Sequence, residues 1–98
     1  MTGDDNYIDG DGVWDEGRFQ RLILSTAFRG YSLDQVDDLL DQVVAALSEA
    51  RGGMRPTDTL ERLRTVELGR ALRGYAKDEV EAALSRAVSA LEWWSARI

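Results

Sequence analysis

Ninety-eight residues, 44% hydrophobic and 31% charged, suit one ordinary domain, with no apolar run near the roughly 20 residues of a membrane span. There is no cysteine and no histidine, which excludes disulfides, thiolate nucleophiles, imidazole bases and the commonest zinc ligands. A formal charge of −6 argues against nucleic acid as a partner.

The charge is uneven. Asp4, Asp5, Asp9, Asp11, Asp15 and Glu16 precede the first base, Arg18, after which acids and bases balance. Residues 1–14 are therefore expected to form a flexible acidic tail, with Gly3, Gly10 and Gly12 loosening it. Asp5, Asp9, Gly10 and Glu16 also fall at positions one, five, six and twelve of a calcium-loop pattern. Tyr7 at position three, Gly12 at position eight and the lack of an entering helix favour the solvated tail, and no metal ligand is assigned. The start Met1-Thr2-Gly3-Asp4-Asp5 lacks the positive opening of a signal peptide, so a cytoplasmic location is expected.

The first unit is read as residues 15–51. Asp15 to Arg21 suggests a short helical turn with Phe19, Leu22 and Ile23 inward. Phe28-Arg29-Gly30-Tyr31 then reads as a turn, because Gly30 can take a positive φ without steric cost. Ser32 is the expected N-cap, with Gln35 completing a capping box and Asp34 matching the helix dipole. The following helix is predicted over about Leu33 to Ala50. Its packing stripe is Val36, Leu39, Leu40, Val43, Val44 and Leu47, at spacings of three and one.

Gly52, Gly53 and Pro56 mark a linker over 52–56. The second unit, 57–98, opens with a brief helix from Thr57 to Arg64, then Thr65-Val66-Glu67-Leu68 alternates like an extended segment. A second turn follows at Leu72-Arg73-Gly74-Tyr75. The last helix is predicted from Lys77 to Ala96, with Val80, Ala83, Leu84, Ala87, Val88 and Leu91, then Trp94, on its packing stripe and Ala76 where the first unit has its serine cap. Trp93 lies off this stripe and is a candidate contact for another chain or for the first helix.

The units are copies. Leu24, Ala27, Arg29, Gly30, Tyr31, Asp34, Val36, Leu40, Val44, Ala46 and Leu47 recur forty-four positions later without a gap. Half-chains of this size are marginal alone, so the two should pack on each other or on a second chain. The linker and the stretch to Ala76 are long enough for either parallel or antiparallel long helices, and the pattern does not choose between them. The fold expected is all-α: two repeats paired about a pseudo-twofold, as a helical pair or coiled-coil-like bundle.

No catalytic constellation emerges. Asp37, Asp38 and Asp41 lie on the polar side of a helix, the serines have no imidazole to activate them, and no glycine loop cradles phosphate. The chain is read as a non-enzyme without cofactor. Phe28-Arg29, and more weakly Leu72-Arg73, set an apolar side chain beside a guanidinium, a pair suited to a bilayer interface with anionic headgroups. On physical grounds the plainer reading, with Phe28 in the core and Arg29 paired to an acid, weighs more, since a neutral body has little long-range pull toward a membrane.

Phe28-Arg29-Gly30-Tyr31 followed by Gln35-Val36-Asp37 and Leu40 resembles the N-terminal domain of the bacterial DivIVA family. Arg73-Gly74-Tyr75 with Glu79-Val80-Glu81 and Leu84 resembles it again, and Pro56-Thr57-Asp58 fits that family's opening helix. The resemblance covers about Phe19 to Leu91 as a tandem repeat. It implies a scaffold of cell poles and septa that meets the inner face of the membrane through its turn, dimerises through parallel helices and recruits division or cell-wall factors. Carried over, Phe28 and Arg29 become the membrane-contacting pair, with Leu72 and Arg73 a second copy. Lacking a long coiled coil, a tandem version is expected to act as an adaptor, as a monomeric pseudo-dimer or a homodimer, with other protein chains and an anionic membrane surface as partners. The readings left beside it are a soluble calcium-responsive regulator using the acidic tail, and a purely structural oligomer.

Overall fold

The computed structural model describes residues 13–98. Six elements follow in order: α1 (Glu16–Gln20), β1 (Thr26–Tyr31), α2 (Leu33–Arg51), α3 (Thr57–Thr65), β2 (Arg70–Tyr75) and α4 (Lys77–Arg97). Two long helices form the body, and the two strands form a sheet at their N-terminal ends.

The strands pair as Thr26 with Tyr75, Ala27 with Gly74, Phe28 with Arg73, Gly30 with Ala71 and Tyr31 with Arg70. One strand is thus read forward as the other is read backward, an antiparallel ladder. Tyr31 also meets Tyr75, its counterpart in the repeat, where the strands cross. Backbone bonds extend the ladder at both ends: Ser32 N–H donates to Gly69 O at 2.8 Å, and Ala76 N–H to Ser25 O at 2.8 Å.

This sheet corrects the all-α expectation. The segments read as turns at Phe28-Arg29-Gly30-Tyr31 and Leu72-Arg73-Gly74-Tyr75 are strands, and the protein is a mixed α/β domain, not a helical bundle. The physical reason is backbone satisfaction: each six-residue segment leaves its N–H and C=O groups unpaired until the other copy supplies partners. The glycines are also needed for a different cause than expected. Neither Gly30 nor Gly74 has a positive φ. A Cβ on Gly30 would collide with the Tyr75 carbonyl oxygen, and one on Gly74 with that of Tyr31. Only a residue without a side chain lets the two backbones cross this closely. The left-handed residue is Arg29, at φ 64°.

The long helices run parallel. Both N-termini sit at the sheet, and at the far end Arg55, just past α2, donates to the carbonyl of Ile98 beyond α4. The buried residues are Val36, Leu39, Val43, Ala46, Leu47 and Ala50 in α2 and Val80, Ala83, Ala87, Ala90 and Leu91 in α4, and Leu39, Val43, Ala46, Leu47, Ala87, Ala90 and Leu91 share one core cluster at their seam. Val36, Val43, Leu47, Val80 and Leu91 are the largest side chains fully removed from water. Burial of aliphatic groups of this size stabilises by about 1.5–3 kcal/mol each, which makes the seam the main support of the fold. The equivalents of Leu39 and Val43 in α4 are Ala83 and Ala87, all four buried, and Phe19, Leu60 and Leu63 from the short helices join the core cluster with Leu39, Val43 and Ala87.

The predicted stripe needs one adjustment. Leu40, Val44, Leu84, Val88 and Trp94 are only partly buried, on the shoulder of the core, and alanines hold the positions at its centre. Leu47 and Leu91 stay fully buried at the seam, and the close approach of two parallel helices leaves room beside them for alanines while the other wide residues of the stripes lie on its flanks.

Candidate functional site

The sheet end is bound together by bonds that repeat across the two units. Gln35 Oε1 accepts from Gly69 N–H at 2.7 Å, and its counterpart Glu79 accepts from Ser25 N–H at 2.7 Å. Tyr31 donates its hydroxyl to Glu81 at 2.8 Å, and Tyr75 donates to Asp37 at 2.8 Å. Every one of these bonds joins one unit to the other. The capping box foreseen at Ser32 is only half made: Ser32 Oγ accepts from Gln35 N–H at 3.4 Å, while the Gln35 side chain turns to Gly69 instead.

The hydrogen bonds to carboxylates, Glu81 for Tyr31 and Asp37 for Tyr75, are the main cause that raises both phenol pKa values above their ordinary 10.0. Each phenol keeps its proton because losing it would set two negative oxygens against each other.

With the ends of the strands tied down, their middles stand out. Phe28 is 75% exposed and Leu72 72%, at equivalent places of the two strands and directly beside the arginines. The core reading of Phe28 is thereby excluded. Arg29 places its guanidinium 5.5 Å from the Phe28 ring, Arg70 lies 5.5 Å from the Tyr31 ring, and Arg73 donates to Thr26 Oγ1 at 3.4 Å. Arg29, Arg70, Ala71 and Leu72 line a shallow hollow of about 370 Å³. Neither strand contains an acid, so two apolar side chains and three guanidinium groups share one end of the molecule.

The expected membrane-contact residues Phe28, Arg29, Leu72 and Arg73 are thus brought together. Tyr31 and Tyr75 serve as cross-ties, and Gly30 and Gly74 as the crossing point. Sequence reasoning missed Arg70. It has no counterpart at Thr26, and only the antiparallel register brings it to the pair.

Asp5, Asp9 and Gly10 of the calcium pattern, and most of the acidic tail, lie outside the described residues. Glu16 in α1 meets Arg51 at 2.6 Å. Among the described residues no group of three or more acidic, cysteine or histidine side chains is placed to hold a metal ion. Trp14 packs on Phe19 with ring centroids 5.1 Å apart, and Arg86 of α4 lies 5.0 Å above it. Trp93 stacks edge-on against Trp94 and carries Arg97 at 3.7 Å. Among the described residues no helix is long and apolar enough to cross a membrane. Compared with family models, curated proteins and solved structures, the chain has no significant match.

Proposed function

We propose that this protein is a non-enzymatic adaptor of the DivIVA type, which touches the inner face of a bacterial membrane with its sheet end and serves cell division, polar growth or cell-wall organisation. The observation that carries the reading is the pairing of Phe28 and Leu72, both largely exposed, with Arg29, Arg70 and Arg73 on an acid-free sheet. Exposed apolar groups of this size are costly in water and favourable in the interfacial region of a bilayer. Guanidinium groups beside them meet anionic headgroups, at about 1 kcal/mol per basic residue. The rigid, crossed backbone holds both prongs ready, so little ordering is needed on contact. The resemblance of both Arg-Gly-Tyr segments to the DivIVA N-terminal domain supplies the cellular setting.

The test is co-sedimentation with phosphatidylglycerol-containing vesicles and with neutral phosphatidylcholine vesicles. Binding should occur on the anionic vesicles and fall at least tenfold in a Phe28→Ser, Arg29→Ala double variant of unchanged helix content. Arg29→Gly is the sharper single change, because it relieves the left-handed strain while removing the charge. A native chain that stays in the supernatant with both vesicle types sinks the proposal.

A further inference from the structure

We propose that the groove between α1 and α2 is a docking site for a basic amphipathic segment of a partner protein. It adjoins the sheet end at Asp37, which also accepts from Tyr75, but none of Phe28, Arg29, Arg70, Leu72 and Arg73 lines it. Its floor is apolar, made by Phe19, Leu22, Leu40 and Val44, and its acid groups are Asp37 and Asp41; the open volume is about 600 Å³. Leu40 and Val44 are the stripe residues that the seam with α4 does not fully cover. The residue after Leu22, Ile23, is 90% exposed, so apolar surface continues past Leu22 along the chain.

Charge selects the occupant. α2 carries Asp34, Asp37, Asp38, Asp41 and Glu49 against Arg51 as its one base. A peptide with apolar residues at helical spacing would fill the floor, while lysines or arginines on its flank would meet Asp37 and Asp41. An acidic or neutral segment would gain only the apolar part, and Asp41 would oppose an acidic one. From Asp37 to Ala45 the groove follows about 12 Å of helix, room for two to three turns of a partner.

At the corresponding place the second unit has a smaller hollow of about 340 Å³, lined by Ala82, Ser85, Arg86 and Ser89 in place of an apolar floor with acids. The counterparts of Asp41 and Ala45 are Ser85 and Ser89, that of Ile23 is Glu67, and that of Gln20 is Arg64, which pairs with Glu92 across the surface. Duplicated elements thus differ where the groove lies: Glu81 matches Asp37, but the second acid, Asp41, and the apolar extension at Ile23 are both lost on that side. The sheet end, by contrast, keeps an apolar residue and an arginine in both copies.

The probe is a fluorescein-labelled amphipathic peptide of leucine and lysine, 14 residues long, followed by fluorescence anisotropy at 150 mM salt with its leucine-glutamate counterpart as control. The leucine-lysine peptide should bind at least tenfold more tightly than the control. Asp41→Lys and Val44→Ser should each weaken it at least fivefold, whereas Glu61→Lys on α3, with the same change in net charge, should alter it less than twofold. Arg29→Gly should leave peptide binding unchanged, which separates this proposal from the membrane reading. Equal weakening by Asp41→Lys and Glu61→Lys would reduce the effect to bulk attraction and overturn the site, as would no binding by the native chain. Concentration-dependent self-association abolished by Val44→Ser would overturn the assigned occupant in favour of a second copy.

Discussion

At the residue scale, the fold turns on two glycines and two tyrosines. Gly30→Ala or Gly74→Ala should destabilise by roughly 3 kcal/mol, the upper part of the usual overpacking range, because the obstacle is a backbone carbonyl that cannot rotate away. Gly52→Ala, where an added methyl group meets Glu49 O at an ordinary 3.4 Å, should be nearly neutral. Urea titration of the three variants distinguishes a crossing point from a flexible turn. Both glycines were legible in the sequence as special positions, but their reason was not. A lone glycine before a helix reads as a positive-φ turn, and only the presence of a second backbone reveals the close approach.

The tyrosines make a pH prediction with a definite sign. Raised phenol pKa values mean that the folded state holds its protons more firmly than the unfolded chain. Their contribution is complete below pH 10 and is lost as pH rises through the elevated folded values. A Tyr31→Phe, Tyr75→Phe double variant should be less stable at neutral pH by about 1–2 kcal/mol, within the range for two solvent-exposed hydrogen bonds. It should also show a shallower loss of stability above pH 10 than the native chain. Thermal melts from pH 7 to 11 measure both effects, and parallel curves for the two proteins would contradict the role given to these bonds.

At the element scale, the two long helices offer an internal comparison. α2 starts at Ser32, whose hydroxyl caps it weakly at 3.4 Å, and α4 starts at Ala76 with no side-chain cap. Ala76→Ser should add about 0.5 kcal/mol, and Ser32→Ala should remove a similar amount, the low end of the range for caps. Chemical denaturation of the two variants checks the pair.

The helices themselves were well marked in the sequence, since their three-and-four spacing persists for five turns. The strands were not. TAFRGY and RALRGY have neither alternation nor β-branched runs, and their extended state comes from pairing with each other across more than forty residues. The seam alanines were legible only in part. Ala83 and Ala87 fall on the spacing of the apolar stripe, whereas Ala46 and Ala90 lie off it and are buried because the neighbouring helix comes close. The candidate site was half legible: Phe28 and Arg29 stood out by type, Leu72 and Arg73 by repetition, and Arg70 only through register.

At the scale of the whole molecule, the units depend on each other at both ends. The sheet needs one strand from each, the seam one helix from each, and the cross-ties a donor and an acceptor from opposite units. Unfolding should therefore be a single transition, with coincident loss of helix circular dichroism and tryptophan signal. A fragment of residues 54–98 should be unfolded when dilute and form a helical homodimer when concentrated, since a second copy can present the same strand and helix. Sedimentation equilibrium with circular dichroism would show this, and a folded monomeric fragment would contradict the interdependence. The surface ion pairs contribute little here: Arg51 with Glu16 is exposed, and Arg51→Ala should cost under about 1 kcal/mol.

The Gly52-Gly53 linker has a consequence of another kind. Two separate chains meeting at this interface would part on dilution, at a rate set by their dissociation constant and their copy number in the cell. Joined by a short tether, the partners meet at an effective concentration in the millimolar range whatever the expression level. The two-pronged end is thus complete within one chain, because each strand finds its partner in the same molecule.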